Sequence, residues 1–284
     1  MLKRTYIIAE IGINHQGDIN IAKKLIDIAA AAGCDAVKFQ KRNPDVCVPE
    51  KQKGIARSWQ GQTMTYLEYK HKIEFGKEEY DEIDRYCKQQ GITWSASPWD
   101  YDSIEFLKQY NLPFIKVPSA MLTNHELLTS CMKSKMRVIL STGMSTADEI
   151  EEAINVLRKA KHFFKNPHPI GLLHCNSSYP APLTELNLSA IRTLTEKYPD
   201  CEVGYSGHEL TLGTTVSSIL LGATIIERHI TLDRNMEGSD HSCSVTPWGI
   251  FKLVNGIREL EDAYGDGNLE VTDTEKKIRE KLRG

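Results

Sequence analysis

Four charged side chains lie inside short runs that are otherwise apolar: Glu10 in Ile7-Ile-Ala-Glu-Ile11, Lys38 in Ala36-Val-Lys-Phe39, Lys116 in Phe114-Ile-Lys-Val117, and Glu227 after Thr224-Ile-Ile226. A charge among apolar neighbours is costly unless it is paired or holds a ligand. Two readings stay open for each: an ion pair that only fills an interior, or a charge kept for an anionic substrate and its protons. His208 and His229 add two imidazoles, the ligand type that suits a divalent ion such as manganese, magnesium or cobalt completed by oxygen ligands. Their separation matches no local zinc motif, so hydrogen-bonded core histidines are the alternative. Asp240, in Gly238-Ser-Asp-His241, could complete or orient such a ligand set.

Phosphate recognition needs fixed cations together with hydroxyl or backbone donors. Lys38 and Lys116 supply the charge, and Ser119 and Ser206 supply hydroxyls. Ser141-Thr-Gly143 runs into Thr146-Ala-Asp-Glu149, a capping box opening a helix whose dipole favours anions. Alone, a Ser-Thr-Gly turn is common and specifies nothing.

These residues need a scaffold that brings distant segments to one place. Apolar runs at 6–12, 36–40, 92–97, 114–118, 138–142, 171–175, 202–206 and 224–229 read as strands. Segments with helical apolar spacing lie between them, at 19–32, 77–90, 101–110, 123–134, 147–161, 185–198, 209–221 and 248–264. Regular alternation means parallel strands, and no Gly-x-Gly-x-x-Gly follows the first strand. The expectation is therefore a (β/α)₈ TIM barrel over residues 1–264 rather than an open doubly wound sheet. Catalytic groups in such a barrel sit at the C-terminal strand ends. The ends here hold Glu10; Lys38 with Gln40; Ser97; Lys116 with Ser119; Ser141-Thr142; His174; Ser206 with His208; and Glu227 with His229. Because strand side chains alternate, Lys38 shares a face with Gln40, and Glu227 with His229.

Residues 41–76 are too long for a plain connection and read either as a substrate-covering loop or as a packed surface excursion. Residues 265–284 read as a charged, solvated tail. The net charge of -3 and pI near 6.3 lack the basic excess of a nucleic-acid binder. No run is long and apolar enough to span a membrane, and seven scattered cysteines without a CxxC pair fit a reducing cytoplasm.

Seven motifs in order, Ala9-Glu-Ile-Gly-Ile-Asn-His15, Lys38-Phe-Gln40, Lys116-Val-Pro-Ser119, Ser141-Thr-Gly-Met144, Leu173-His-Cys175 through Tyr179-Pro180, Gly204-Tyr-Ser-Gly-His208 and Glu227-Arg-His229, resemble the sialic acid synthase (N-acetylneuraminate synthase) family. The resemblance runs from Tyr6 to about Pro247. It implies a (β/α)₈ barrel that joins phosphoenolpyruvate to a hexosamine-derived aldehyde, with manganese or magnesium. By the same resemblance His208 and His229 match metal ligands, and Lys38, Lys116, Ser119, Ser141, Ser177 and Ser206 match phosphoenolpyruvate contacts. Ser177 stands where a close relative has asparagine. Glu10, Glu227 and Asp240 match acidic groups around the metal and the reacting carbonyl, and Gln40 and Tyr179 match sugar contacts. Many members continue into an antifreeze-like domain that reaches a partner's barrel. This sequence stops at about the point where that domain would begin, so a homodimer stays open. Three other readings compete: a synthase of shorter 3-deoxy-2-keto acids acting on a phosphorylated aldose, with Lys41, Arg42 and Arg57 as phosphate holders; a metal-dependent aldolase of free pyruvate; and a sugar-binding barrel without catalysis.

Overall fold

The computed structural model describes residues 2–283. Eight parallel strands form one sheet: β1 (Tyr6–Gly12), β2 (Ala36–Lys41), β3 (Thr93–Pro98), β4 (Phe114–Val117), β5 (Arg137–Ser141), β6 (Ile170–Cys175), β7 (Cys201–Gly207) and β8 (Ile225–His229). The hydrogen-bonded order is β3-β2-β1-β8-β7-β6-β5-β4, so β1 lies between β2 and β8 and the sheet curls round on itself. Its two ends meet where Ser95 Oγ on β3 donates to the Phe114 carbonyl on β4. The expected barrel is present, with no strand limit shifted by more than one residue.

Eight helices follow the eight strands: α1 (Ile19–Ala32), α2 (Lys77–Gln90), α3 (Tyr101–Leu107), α4 (His125–Lys133), α5 (Ala147–Phe164), α6 (Ala190–Lys197), α7 (Gly213–Ser218) and α8 (Pro247–Ala263). Helix α1 shows how local sequence sets their limits. Asp18 caps its start by accepting from the Asn20 amide, Ala22, Leu25, Ile26 and Ala29 make its buried stripe, and left-handed Gly33 ends it. Helices α3, α6 and α7 are shorter than their apolar spacing suggests. At α7 the segment 209–212 is instead a loop with Glu209 buried, and a 3₁₀ turn (Ile219–Leu221) ends it.

Strand alternation divides the apolar residues between two layers. Ile8, Ala36, Phe114, Ile139, Leu173 and Ile225 pack together inside the barrel, while Ile7, Ala9, Val37, Phe39, Val117, Leu140 and Leu172 face the helices. Two residues along from each interior apolar side chain stands Glu10, Lys38, Lys116, Ser141, Cys175 or Glu227. The apolar layer therefore floors a polar one.

Residues 42–76 form a packed unit. A hairpin (Ala56–Trp59 with Gln62–Thr65) leads into a helix (Tyr66–Ile73) opened by the Thr65–Glu68 capping box. Trp59, Tyr69 and Ile73 make its core, with Ile13 of the turn after β1 packed on them. The tail ends in an exposed helix, α9 (Asp273–Arg283). No helix among the described residues is long and apolar enough to cross a membrane.

Candidate active site

A cavity of about 230 Å³ opens at the C-terminal ends of the barrel strands. Glu10, Lys38, Gln40, Ser97, Lys116, Ser119, Ser177, Tyr179, Ser206, His208, Glu227 and His229 all line it. Asp240 stands just behind that wall, its Oδ2 3.7 Å from His229 Nδ1. The close approach of Asp240, Gln40 and Glu10 depends on Gly12, whose φ is +56°. A Cβ there would lie 3.1 Å from Gln40 Nε2, 3.1 Å from Glu10 Oε1 and 3.5 Å from Asp240 Oδ2.

Ser141 departs from expectation. It shares the interior face with Ile139 but is fully buried, outside the cavity wall, and its Oγ has no hydrogen-bond partner among the described residues. The anion-favouring start of α5 also departs. Thr146 and Glu149 satisfy each other's backbone amides there, and the helix start faces a separate groove of about 680 Å³ with His174. His174 alternates with interior Leu173 and so points outward, with Nε2 2.7 Å from the Leu186 carbonyl. What faces the cavity side is Gly143, whose amide donates to Ser119 Oγ at 3.0 Å. A Cβ at Gly143 would fall 2.2 Å from Ser177 Oγ and 2.8 Å from Ser119 Oγ, so only glycine lets those two hydroxyls close on this turn.

Charges of opposite sign alternate across the floor of the cavity. Lys38 Nζ is 2.7 Å from Glu10 Oε2, 3.7 Å from Glu227 Oε2 and 2.9 Å from Ser97 Oγ. Lys116 Nζ is 2.8 Å from Glu227 Oε1, which also accepts from Ser206 Oγ at 3.3 Å. The two carboxylates are driven apart in acidity. Burial raises Glu10 to about 7, since Lys38 offsets it only in part and Glu227 adds repulsion. Burial acts the same way on Glu227, but Lys116 and Lys38 together outweigh it and hold this carboxyl at about 2. A pair of carboxyls separated in this way can divide acid and base roles near neutral pH. Glu227 Oε2 has no hydrogen-bond donor among the described residues.

The histidines fit a divalent metal. His208 Nδ1 is 2.6 Å from the Asn176 carbonyl, which places the proton on Nδ1 and leaves the Nε2 lone pair free. His229 Nδ1 is buried with no hydrogen-bond partner among the described residues, and burial holds the ring neutral by lowering its pKa to about 4. The ring centres are 5.4 Å apart, with Tyr179 4.1 Å from His208. Among the described residues no three His, Cys, Asp or Glu converge as a ready-made cage. Two imidazoles with remaining positions for water or substrate oxygens suit an open catalytic ion rather than a closed structural one.

Two residues behind the wall were not singled out from the sequence. Glu209 follows His208, Arg228 precedes His229, and both are buried. Arg228 Nη1 lies 3.3 Å from Glu209 Oε1, its Nη2 donates to the Glu209 carbonyl, and Thr214 and Thr215 each donate to Glu209 Oε1 at 2.7 Å. The pair ties together the two strand ends that carry the histidines. Opposite charges adjoining both histidines were the available signal. Arg228→Met is expected to destabilise the protein by about 3–5 kcal/mol, because Glu209 keeps its charge without its cation. Urea denaturation measures it, and a loss below about 1 kcal/mol would remove the pair from this role. Cys175, Trp99 and Met144 also line the cavity and were not anticipated as wall residues.

Comparison with known proteins bears on the family and the fold of the chain. The chain is 39% identical over 278 residues to the N,N'-diacetyllegionaminic acid synthase of Campylobacter jejuni, covering 97% of this chain and 82% of that one. It is 36% identical over 280 residues to the human N-acetylneuraminate-9-phosphate synthase, covering 98% and 76%. The crystal structure of the N-acetylneuraminic acid synthetase of Leptospira borgpetersenii, in complex with citrate, superposes with a TM-score of 0.84 at 34% identity, covering 99% of this chain and 93% of that one. Residues 25–269 match the NeuB family. With the motifs in order and the barrel around them, the chain belongs to the NeuB family of sialic and other nonulosonic acid synthases.

Proposed function

We propose that this chain joins phosphoenolpyruvate to the aldehyde of an open-chain amino sugar or hexose, N-acetylmannosamine-like, giving a nine-carbon 2-keto acid and phosphate. The catalytic unit is the barrel, residues 1–264, and the charged tail takes no part. The observation that carries the reading is the alternation of Glu10, Lys38, Glu227 and Lys116 on the cavity floor beside the two histidines. Unlike ion pairs that fill a core, this group lines an open cavity.

The donor is a small, densely anionic molecule, and about 230 Å³ is below the roughly 300–1,000 Å³ of drug-sized sites. Lys38 and Lys116 hold its phosphate and carboxylate and offset their mutual repulsion, with Ser119, Ser177 and Ser206 adding hydroxyls. Ser97 fixes Lys38 in place. Ser141, buried beneath the wall, acts through packing. A divalent metal such as manganese, magnesium or cobalt, held by His208 and His229 with Asp240 beside them, would polarise the aldehyde oxygen as a Lewis acid. Gln40 and Tyr179 orient the sugar so that its carbonyl carbon meets C3 of the donor. Glu10, which titrates near neutrality, supplies a proton to the alkoxide formed. Ionised Glu227 orients and deprotonates the water that adds at C2, after which phosphate leaves.

The test is phosphate release from phosphoenolpyruvate with manganese and a panel of free and phosphorylated aldoses, followed by mass determination of the product. A nonulosonic acid is expected. Exclusive use of arabinose 5-phosphate or erythrose 4-phosphate would replace this reading by a synthase of shorter keto acids. Turnover of free pyruvate would point to an aldolase, and no turnover with any sugar to a barrel that only binds.

A further inference from the structure

Asn14, in the turn after β1, stands outside the cavity wall and takes no part in the reaction described above. It is buried, and its side-chain Nδ2 directs both hydrogens across the seam to the segment that follows β8. One goes to the Ile230 carbonyl at 2.8 Å and the other to Ser244 Oγ at 2.9 Å. Because the Ile230 carbonyl can only accept, the amide is fixed with its nitrogen on this side. Asn14 Oδ1, on the other side, is buried with no hydrogen-bond partner among the described residues. A buried amide satisfied on one side only contributes little net stability, so packing alone does not account for an asparagine here.

The segment that Asn14 grips is a loop closed at its base. The Val245 amide donates to the His229 carbonyl at 2.7 Å, and the Thr231 amide to the Val245 carbonyl at 3.0 Å. Asp240 rides on this loop, its Oδ2 3.7 Å from His229 Nδ1. Ser244 Oγ, which accepts from Asn14, donates in turn to the Asp240 carbonyl at 2.6 Å, and Ser244 is fully buried. Donation therefore runs without a gap from Asn14 Nδ2 through Ser244 Oγ to the main chain of Asp240. Gln16 and the Gln60 amide also reach the loop, but at the exposed Glu237, where water competes for the same groups.

We infer that Asn14 is a positioning residue that sets the Asp240 carboxylate against His229. From one buried anchor it holds the base of the loop at Ile230, next to His229, and the limb that carries Asp240 at Ser244. The place of Asp240 fixes the orientation of the His229 ring and the negative charge beside it, and both govern how that imidazole holds a metal. Lys38 and Lys116 stand on β2 and β4, outside this chain of contacts, so a shift of Asp240 leaves the donor lysines where they are. The contacts stand by themselves, whereas their consequence for turnover rests on the synthase reading.

Asn14→Leu keeps the approximate volume and removes both donors. Asn166→Leu is its control, because Asn166 is also buried and its Nδ2 also joins two carbonyls, those of Met132 at 3.3 Å and Met136 at 2.8 Å, at the opposite end of the barrel. In Asn14→Leu, kcat should fall and the manganese Kd measured by calorimetry should rise, each by about tenfold, with the phosphoenolpyruvate KM within about twofold of wild type. In Asn166→Leu the melting temperature should fall comparably while kcat and the manganese Kd stay within about twofold. Ser244→Ala should act in the same direction as Asn14→Leu, and the double variant should be no worse than Asn14→Leu, in which that link is already broken. Equal losses in Asn14→Leu and its control, a KM that rises as far as kcat falls, or additive losses in the double variant would overturn the inference. If Asn14→Leu does not fold, Ser244→Ala decides alone, and an unchanged kcat and manganese Kd in it would overturn the inference. Absence of turnover with every aldose, with manganese still bound more weakly in both variants, would sink the synthase reading and uphold the positioning. Wild-type turnover and manganese affinity in both variants would sink the positioning alone.

Discussion

Chelation of divalent ions is expected to abolish phosphate release, and His208→Ala or His229→Ala to lower kcat/KM by about a thousandfold or more with the fold retained. The size follows from the several kcal/mol that a Lewis acid contributes at a developing alkoxide, each 1.4 kcal/mol being a factor of ten. Retention of the fold follows from the contacts. His229 Nδ1 has no hydrogen-bond partner among the described residues, and His208 gives up a bond to the Asn176 carbonyl and a long contact of 3.7 Å with Cys175 Sγ. The variants are checked by melting temperature and by manganese titration beside activity. Full turnover in a rigorously metal-free preparation would exclude a catalytic metal. Unfolding of both alanine variants would shift the decision to His208→Gln and His229→Gln, which keep most of the side-chain volume.

Lys116→Met should affect both chemistry and stability. Phosphoenolpyruvate KM is expected to rise, or kcat to fall, at least tenfold, since one charge-assisted contact to the donor is worth roughly 1.5–3 kcal/mol. Removing one partner of a buried ion pair costs about 3–5 kcal/mol. The lower end applies here, because Lys38 remains 3.7 Å from Glu227 and Ser206 still donates to it. The pH dependence gives a second check in the metal-free protein. Glu227 is held at about 2 against an ordinary 4.5, so its pairing contributes stability above pH 4.5 that is lost as pH falls toward 2. The gap between wild type and Lys116→Met should therefore narrow on acidification through that window. A gap constant from pH 7 to pH 3 would show that Glu227 is not the group Lys116 balances, and unchanged KM and kcat would place the donor elsewhere.

Glu10, Lys38, Lys116 and Glu227 were legible in the sequence because each breaks an apolar strand, and the period of two assigns each to the face opposite Ala9, Val37, Ile115 and Ile226. The barrel was legible from the alternation of strand and helix patterns, and the two histidines from their places at the ends of consecutive strands. Parity fixes a face but not a depth. Ser141 and Lys116 both point inward, yet only Lys116 reaches the cavity, because the stagger of the strands and the length of the side chain decide which interior group stands at the surface of the polar layer. Pairing was likewise beyond local pattern. That Glu227 lies between two lysines, while Glu10 meets only one at close range, comes from strands far apart in the chain, and it is this arrangement that separates their acidities. The long insertion shows the same limit. Its sequence offered Lys41, Arg42 and Arg57 as cations, but the packing of Trp59, Tyr69 and Ile73 set the helix that brings Lys70 beside Arg57, while Glu74 drew Lys41 away. Sequence thus determined which residues carry charge and which strand faces they occupy, whereas tertiary structure decided which charges neutralise each other and which remain for a ligand, since Coulomb energy depends on distance and burial and neither is a local property of the chain.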